Sequence, residues 1–173
     1  IENAYLKMVP DPIKLKMLDR FGKNLDVPKD GCLICVPGRE HHGKSTFMRQ
    51  LAIDVADSNP DIIVLYYTLD DSKKLSVPGF IGCLTKCRMN AVRNFNSDHI
   101  SPTEREKVLE GFEKLRKLSV NFKLRDVSEV SSIEGIKKDI LVYRNIYGRD
   151  KKFNIFIDAF NDLHDCVSGS DKR

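Results

Sequence analysis

The chain has 173 residues, 41% hydrophobic and 31% charged, with 10 Gly, 7 Pro and no Trp, a composition that fits one ordinary globular domain and excludes collagen-like, disordered and mucin-like chains. The net charge of +4 permits a polyanionic partner without arguing for one, because no dense basic stripe accompanies it. The longest purely apolar run, Ile62 to Tyr67, is far below the roughly 18 residues that span a bilayer, and the N-terminus has no signal-peptide core, so a cytosolic chain is expected.

The first thirty residues are broken by Pro10, Pro12 and Pro28 and read as a lead-in, with a short helix over Ile13 to Phe21. From Gly31 onward, short continuous apolar runs alternate with longer segments of helical period. Cys32-Leu33-Ile34-Cys35-Val36 is expected to be the first strand. Phe47, Met48, Leu51, Ala52, Val55 and Ala56 then recur at helical spacing from Lys44 to about Asp57, and Asn59-Pro60 marks the stop. Ile62 to Leu69, β-branched and aromatic, reads as a central strand. A helix is expected over Phe80 to about Phe95, with Phe80, Ile81, Leu84 and Cys87 on one face.

Ser101-Pro102-Thr103-Glu104 sets a capping Ser, a first-turn Pro and a Glu in the order that starts a helix. Val108, Leu109, Phe112, Leu115 and Leu118 supply its buried stripe. Val120 to Leu124 alternates as a third strand. Ser131-Ser132-Ile133-Glu134 is a second capping box, opening a helix that carries Ile133, Ile136, Ile140, Leu141 and Tyr143 and ends at Gly148. Phe153 to Ile157 is the fourth strand and runs into Asp158. The alternation predicts an α/β fold, a mostly parallel sheet with helices on both faces. The expected organisation is a lead-in over 1–30, a core over 31–166 and a frayed tail over 167–173.

Five cysteines without an export signal argue against a disulfide framework. Cys32, Cys35, Cys83 and Cys87 could be four zinc ligands, but residues three apart on a strand face opposite ways, so buried free thiols are expected. His41 and His42 are adjacent, a poor geometry for one metal ion. His99 and His164 read as surface residues. The short basic groups at Lys114-Arg116-Lys117, Lys137-Lys138 and Arg149 to Lys152 read as solvated faces.

The strongest chemical signal is Gly38-Arg39-Glu40-His41-His42-Gly43-Lys44-Ser45, a G-x-x-x-x-G-K-S between an expected strand and an expected helix. Gly38 and Gly43 let the backbone wrap a phosphate with its amides inward, and the helix N-terminus adds favourable potential for anions. The phosphate-binding set is thus residues 38–46: Gly38, Arg39, Glu40, His41, His42, Gly43, Lys44, Ser45 and Thr46. Lys44 would reach the β- and γ-phosphates of ATP, and the Ser45 hydroxyl would ligate Mg²⁺. Asp158, at the C-terminal end of its strand, can face this loop across the sheet crest and support the metal. Asp70 and Asp71 end the strand after the loop helix, and either could orient the attacking water. Asp126 reads as structural.

Pro28-Lys29-Asp30-Gly31, Val36-Pro37-Gly38, His42 to Phe47, Leu65-Tyr66-Tyr67-Thr68-Leu69-Asp70 and Phe156-Ile157-Asp158 together resemble the RecA-like motor domain of the DnaB-type replicative DNA helicases, over about residues 13 to 165. The resemblance implies a P-loop ATPase that translocates on single-stranded DNA and works in a ring, commonly a hexamer of neighbouring subunits. It implies that Lys44 and Ser45 bind ATP and Mg²⁺, that Asp158 supports the metal, and that Asp70 stands where the family has its catalytic Glu. Asp70 is one methylene shorter than that Glu, and Glu40, His41 and His42 replace the small or neutral residues usual in the loop. Ile1 at the start, and an end before the family's DNA-contacting loops and arginine finger, suggest a piece of a longer chain. A recombinase- or clock-type ATPase, or a module that binds ATP with little hydrolysis, are the alternative readings.

Overall fold

The computed structural model describes residues 13–24, 31–39, 41–148 and 150–163. Much of the expected lead-in, the tail, Glu40, Arg149, His164 and Cys166 lie outside them. Among the described residues six α-helices and three strands follow one another: α1 (Asp19–Lys23), α2 (Lys44–Ser58), β1 (Ile62–Thr68), α3 (Lys73–Thr85), α4 (Met89–Arg93), α5 (Pro102–Leu118), β2 (Phe122–Asp126), α6 (Ile133–Tyr147) and β3 (Lys152–Asp158), with a 3-10 turn at Phe160–Asp162 after them. The strands form one parallel sheet in the order β2-β1-β3, with Tyr66 opposite Phe156 and Thr68 opposite Asp158.

The central strand is buried along its whole length, and its two-residue period divides its side chains between two cores. Ile62, Val64 and Tyr66 pack with α2, with Phe80 of α3 and with Phe122 and Phe156 on one face. Ile63, Leu65, Tyr67 and Leu69 pack with Ile136 of α6, Val130 and Leu163 on the other. Helices therefore cover both faces of the sheet, as the alternation predicts. A third cluster, Ile81, Val92 and Val108, joins α3, α4 and α5 beside the first core.

Residues 32–36 correct the expected first strand. They lie in an extended segment without strand pairing, and Leu33 is 90% exposed. Cys32 and Cys35 are exposed rather than buried, while Cys83 and Cys87 are partly covered. An apolar run specifies that a strand could form but not which neighbour would pair with it, and both edges of β1 are taken by β2 and β3.

The helix expected over Phe80 to Phe95 begins earlier and breaks in the middle. Ser72 precedes its first turn, and Lys86, in the left-handed region at φ 57°, ends α3 before the short α4 begins. Pro78 sits inside α3, where it removes one ladder donor. In α5 both halves of the capping box form, Ser101 accepting from the Glu104 N–H and Glu104 from the Ser101 N–H. In α6 the cap is Ser132, not Ser131: its hydroxyl accepts from the Gly135 N–H, and the Glu134 carboxylate pairs with Lys137 instead. Leu109 and Phe112, expected in the buried stripe of α5, are exposed, as is Leu141 on α6. Gly111 takes the contact on α5 that a larger residue would hold, against Ile81 and Thr85 of α3.

The lead-in is tied to the body where it is described. Its helical turn, α1, starts at Asp19 rather than Ile13, because the stretch before it runs along α2. There the backbone N–H groups of Lys16, Met17 and Leu18 donate to the fully buried Asp54 carboxylate at 2.8 to 2.9 Å, and Asn59 exchanges two bonds with Lys14. Asp54 thus satisfies amides that would otherwise be orphans at a helix start. Among the described residues no helix is long and apolar enough to cross a membrane.

Candidate functional site

The site lies at the C-terminal end of the parallel strands, where the loop before α2 meets the ends of β1 and β3. Gly43 adopts φ 81° and hands the chain into α2, a left-handed step that a β-carbon would strain. His41 is left-handed too, at φ 59°. The Lys44 ammonium curls back to donate to the carbonyls of Gly38 and Arg39, both at 2.8 Å, and so braces the loop from inside. A β-carbon on Gly38 would crowd the Lys44 stem at 3.2 Å.

Ser45 and Asp158, 113 residues apart in sequence, meet directly, the Ser45 hydroxyl donating to Asp158 Oδ1 at 2.9 Å. Register explains why: Asp158 is the last residue of β3 and stands opposite Thr68, where the strand clears the sheet beside the first turn of α2. Its other oxygen accepts from the Tyr66 hydroxyl at 2.8 Å. Burial, then the negative charge of Asp158, pushes the Tyr66 phenol well above its ordinary range, so it remains a donor at any working pH.

These groups line a cleft of about 540 Å³, with His41, Gly43, Lys44, Ser45 and Thr46 on one wall. The same cleft is lined by Asp70 at the exit of β1 and by Asp158, Asn161 and Asp162 at and after the end of β3. Burial pushes the Asp162 carboxyl up, and the neighbouring charges of Asp70 and Asp158 add to the effect. Of the expected loop residues, Gly38 and Arg39 contribute carbonyls to Lys44, His42 is exposed, and Glu40 lies outside the described residues.

The two acids at the end of β1 separate. Asp70 is exposed to the cleft, whereas Asp71 turns back to the Arg49 guanidinium at 3.0 Å. Asp126 accepts from the Lys73 N–H at 2.9 Å and from Ser128, bonds that hold its carboxyl below the usual carboxylate range and fix the start of α3.

Arg49, Tyr66 and Asp162 were not singled out by sequence reasoning. Arg49 carried a signal, since it follows Ser45 by four residues and precedes Ala52 by three, the phase of the buried face of α2. Tyr66 gave none within a uniformly apolar strand.

A hydroxyl beside a carboxylate is a hard oxygen pair of the kind Mg²⁺ accepts when phosphates and water complete its shell, so Ser45 and Asp158 fit that ion. Among the described residues no group of three or more His, Cys, Asp or Glu is arranged to hold a metal by itself. The cysteines 32, 35, 83 and 87 are free thiols. No protein-family model matches the chain, and neither the curated proteins nor the solved structures yielded a match.

Proposed function

We propose that the cleft binds ATP with Mg²⁺ and hydrolyses it, and that the chain is the ATP-binding part of a RecA-like motor domain of the DnaB helicase type, acting on single-stranded DNA within a ring of subunits. The observation that carries the nucleotide reading is the Ser45–Asp158 hydrogen bond at 2.9 Å. Two residues that the loop motif and the strand end nominate separately for one metal lie side by side. The helicase assignment rests on the resemblance of the motifs, to which the parallel sheet and the position of the cleft at its strand ends lend support.

The chain's residues divide the work by position. The backbone amides around Gly43 and the N-terminal end of α2 would receive the phosphates, and the Lys44 ammonium would exchange its two loop carbonyls for phosphate oxygens. Ser45 and Asp158 would hold Mg²⁺, which supplies charge neutralisation when bound. Asp70 lines the same cleft and would accept a hydrogen bond from the attacking water, orienting it toward the γ-phosphate. Tyr66 keeps the Asp158 carboxylate from rotating away.

The test is ATP turnover by the full-length protein, with and without single-stranded DNA, followed by a strand-displacement assay. Lys44→Ala is expected to abolish hydrolysis, and unchanged turnover would remove the site assignment. Turnover that DNA does not stimulate, with no strand displacement, would leave an ATPase outside the helicase class. Tight ATP binding without turnover would make the chain a binding module.

A further inference from the structure

One buried cation has no place in the roles given above. Arg49 lies on α2 one turn beyond Ser45, is 7% exposed, and donates from Nη2 to Asp71 Oδ2 at 3.0 Å. Its Nε has no hydrogen-bond partner among the described residues. The room it occupies is kept open by α3, which passes over it at Gly79, where a β-carbon would stand 2.9 Å from Nη1. On its other side lies Tyr66, whose hydroxyl holds Asp158. As packing alone this is a poor choice, because an unbranched apolar side chain such as Met would fill the same gap without desolvating a charge.

The turn that Arg49 grips is the one that carries Asp70. Leu69 donates its N–H to the Asp158 carbonyl at 2.6 Å, the Asp71 carbonyl accepts from Thr68 Oγ1 at 3.0 Å, and Lys73 donates its N–H to Asp126 at 2.9 Å. Of the two adjacent acids in that turn, Asp71 is the one with an ion-pair partner, Arg49, while Leu69 on one side is buried in the second core and Lys73 on the other pairs with Glu129. With Asp71 held beneath the crest, Asp70 is the carboxylate left on the cleft wall. The same ion pair neutralises one of two adjacent negative charges beside a site for polyphosphate.

We propose that Arg49 is a positioning residue: its bond to Asp71 fixes the turn between β1 and α3 so that Asp70, and not Asp71, faces the γ-phosphate. This rests on the reading of the cleft as an ATP-hydrolysing site. Arg49 touches neither nucleotide nor water in this role. It acts through Asp71 on one side and through the Tyr66–Asp158 pair on the other, linking the phosphate helix to both carboxylate-bearing strand ends.

The experiment uses the full-length protein and the variants Arg49→Met, Asp71→Asn and their combination, with ADP affinity, ATP turnover in Mg²⁺ and amide exchange of residues 69–73 as readouts. Arg49→Met is expected to speed exchange of those amides. Each single variant should lower kcat by roughly tenfold or more, as loss of orientation does. ADP affinity should move by less than about threefold, and the double variant should be no worse than the poorer single one. Asp71→Asn changes the accessible end of the pair and guards against an unfolded Arg49→Met. Unchanged exchange in Arg49→Met, a kcat loss no larger than the ADP affinity loss, or additive losses would each overturn the role. If the unaltered protein binds ADP but does not turn over ATP, the proposed function falls and this role with it. If it turns over ATP and Arg49→Met matches it, only the role of Arg49 falls.

Discussion

Asp158 spends both carboxylate oxygens inside the protein, one on Ser45 and one on Tyr66, and the second bond is wholly buried. Tyr66→Phe removes that donor while keeping the ring that stacks on Phe156 at 5.9 Å, so packing is preserved and the hydrogen bond alone is lost. A bond to a charged acceptor contributes about 1.5–3 kcal/mol, and a fall of that order in urea-unfolding free energy is expected. An unchanged midpoint would show that the carboxylate finds another donor. Asp126 offers a second test, in pH. Its pKa is held below the unfolded value by the Ser128 hydroxyl and the Lys73 N–H, so its stabilisation is complete above the unfolded pKa and is lost as pH falls through the folded one. Asp126→Asn should therefore be less stable than the parent at pH 7, with the gap closing as pH falls below the ordinary carboxylate pKa of about 4. A gap independent of pH would assign the effect to shape rather than charge. The meeting of Lys44, Ser45 and Asp158 at one cleft was legible in the sequence because a glycine loop opening a helix and a carboxylate ending a parallel strand have fixed places at the same end of the sheet. Arg49 and Tyr66 were not, because a charge on a buried helix face and a phenol in an apolar strand acquire roles only once a distant partner is placed beside them.

At the level of elements, what the sequence declared best were helix starts with explicit caps and strands buried on both faces. The Ser101 box forms as its spacing predicts, and β1 spans nearly the whole apolar run assigned to it. Local patterns failed where the outcome depended on neighbours. Residues 32–36 have a strand's composition and no pairing, and Leu109, Phe112 and Leu141 keep helical period while facing outward. Gly111 is the counterpart: period alone does not mark it, yet it is buried where α5 crosses α3. A β-carbon there would sit 2.8 Å from both Ile81 Cγ2 and Thr85 Cγ2. Gly111→Ala should gain helix propensity and still lose about 1–3 kcal/mol through overpacking, read from thermal or urea midpoints. A stabilised variant would mean that the two helices separate without cost.

Across the whole molecule, the parallel order and the two-sided helical cover were legible from the alternation of runs, whereas the number of paired strands was not, since it depends on which edges meet. The fold gathers Asp70, Asp158 and Asp162 from two strand ends into one cleft, where burial first, and then the charges of Asp70 and Asp158, push the Asp162 carboxyl up. A bound cation with nucleotide should offset those charges. At one hundred times the Kd, a ligand adds about 2.7 kcal/mol to stability, and for a domain of this size that is roughly 5–10 °C in Tm. Mg²⁺ with ADP is thus expected to raise Tm more than ADP alone, and Asp158→Asn to shrink the difference between them. Equal shifts with and without Mg²⁺ in the unaltered protein would remove the metal from the site.

The bonds from Lys16, Met17 and Leu18 to Asp54 carry a mechanical meaning. Asp54 and Ser45 stand on the same helix of 15 residues, about 22 Å long, with neither Gly nor Pro inside it. One end of this strut is clamped to the segment ahead of α1, and the other to Asp158 through Ser45. A pull on the first clamp is delivered along a stiff rod to the second, so the chain before the glycine loop holds a lever on the residue proposed to grip the metal.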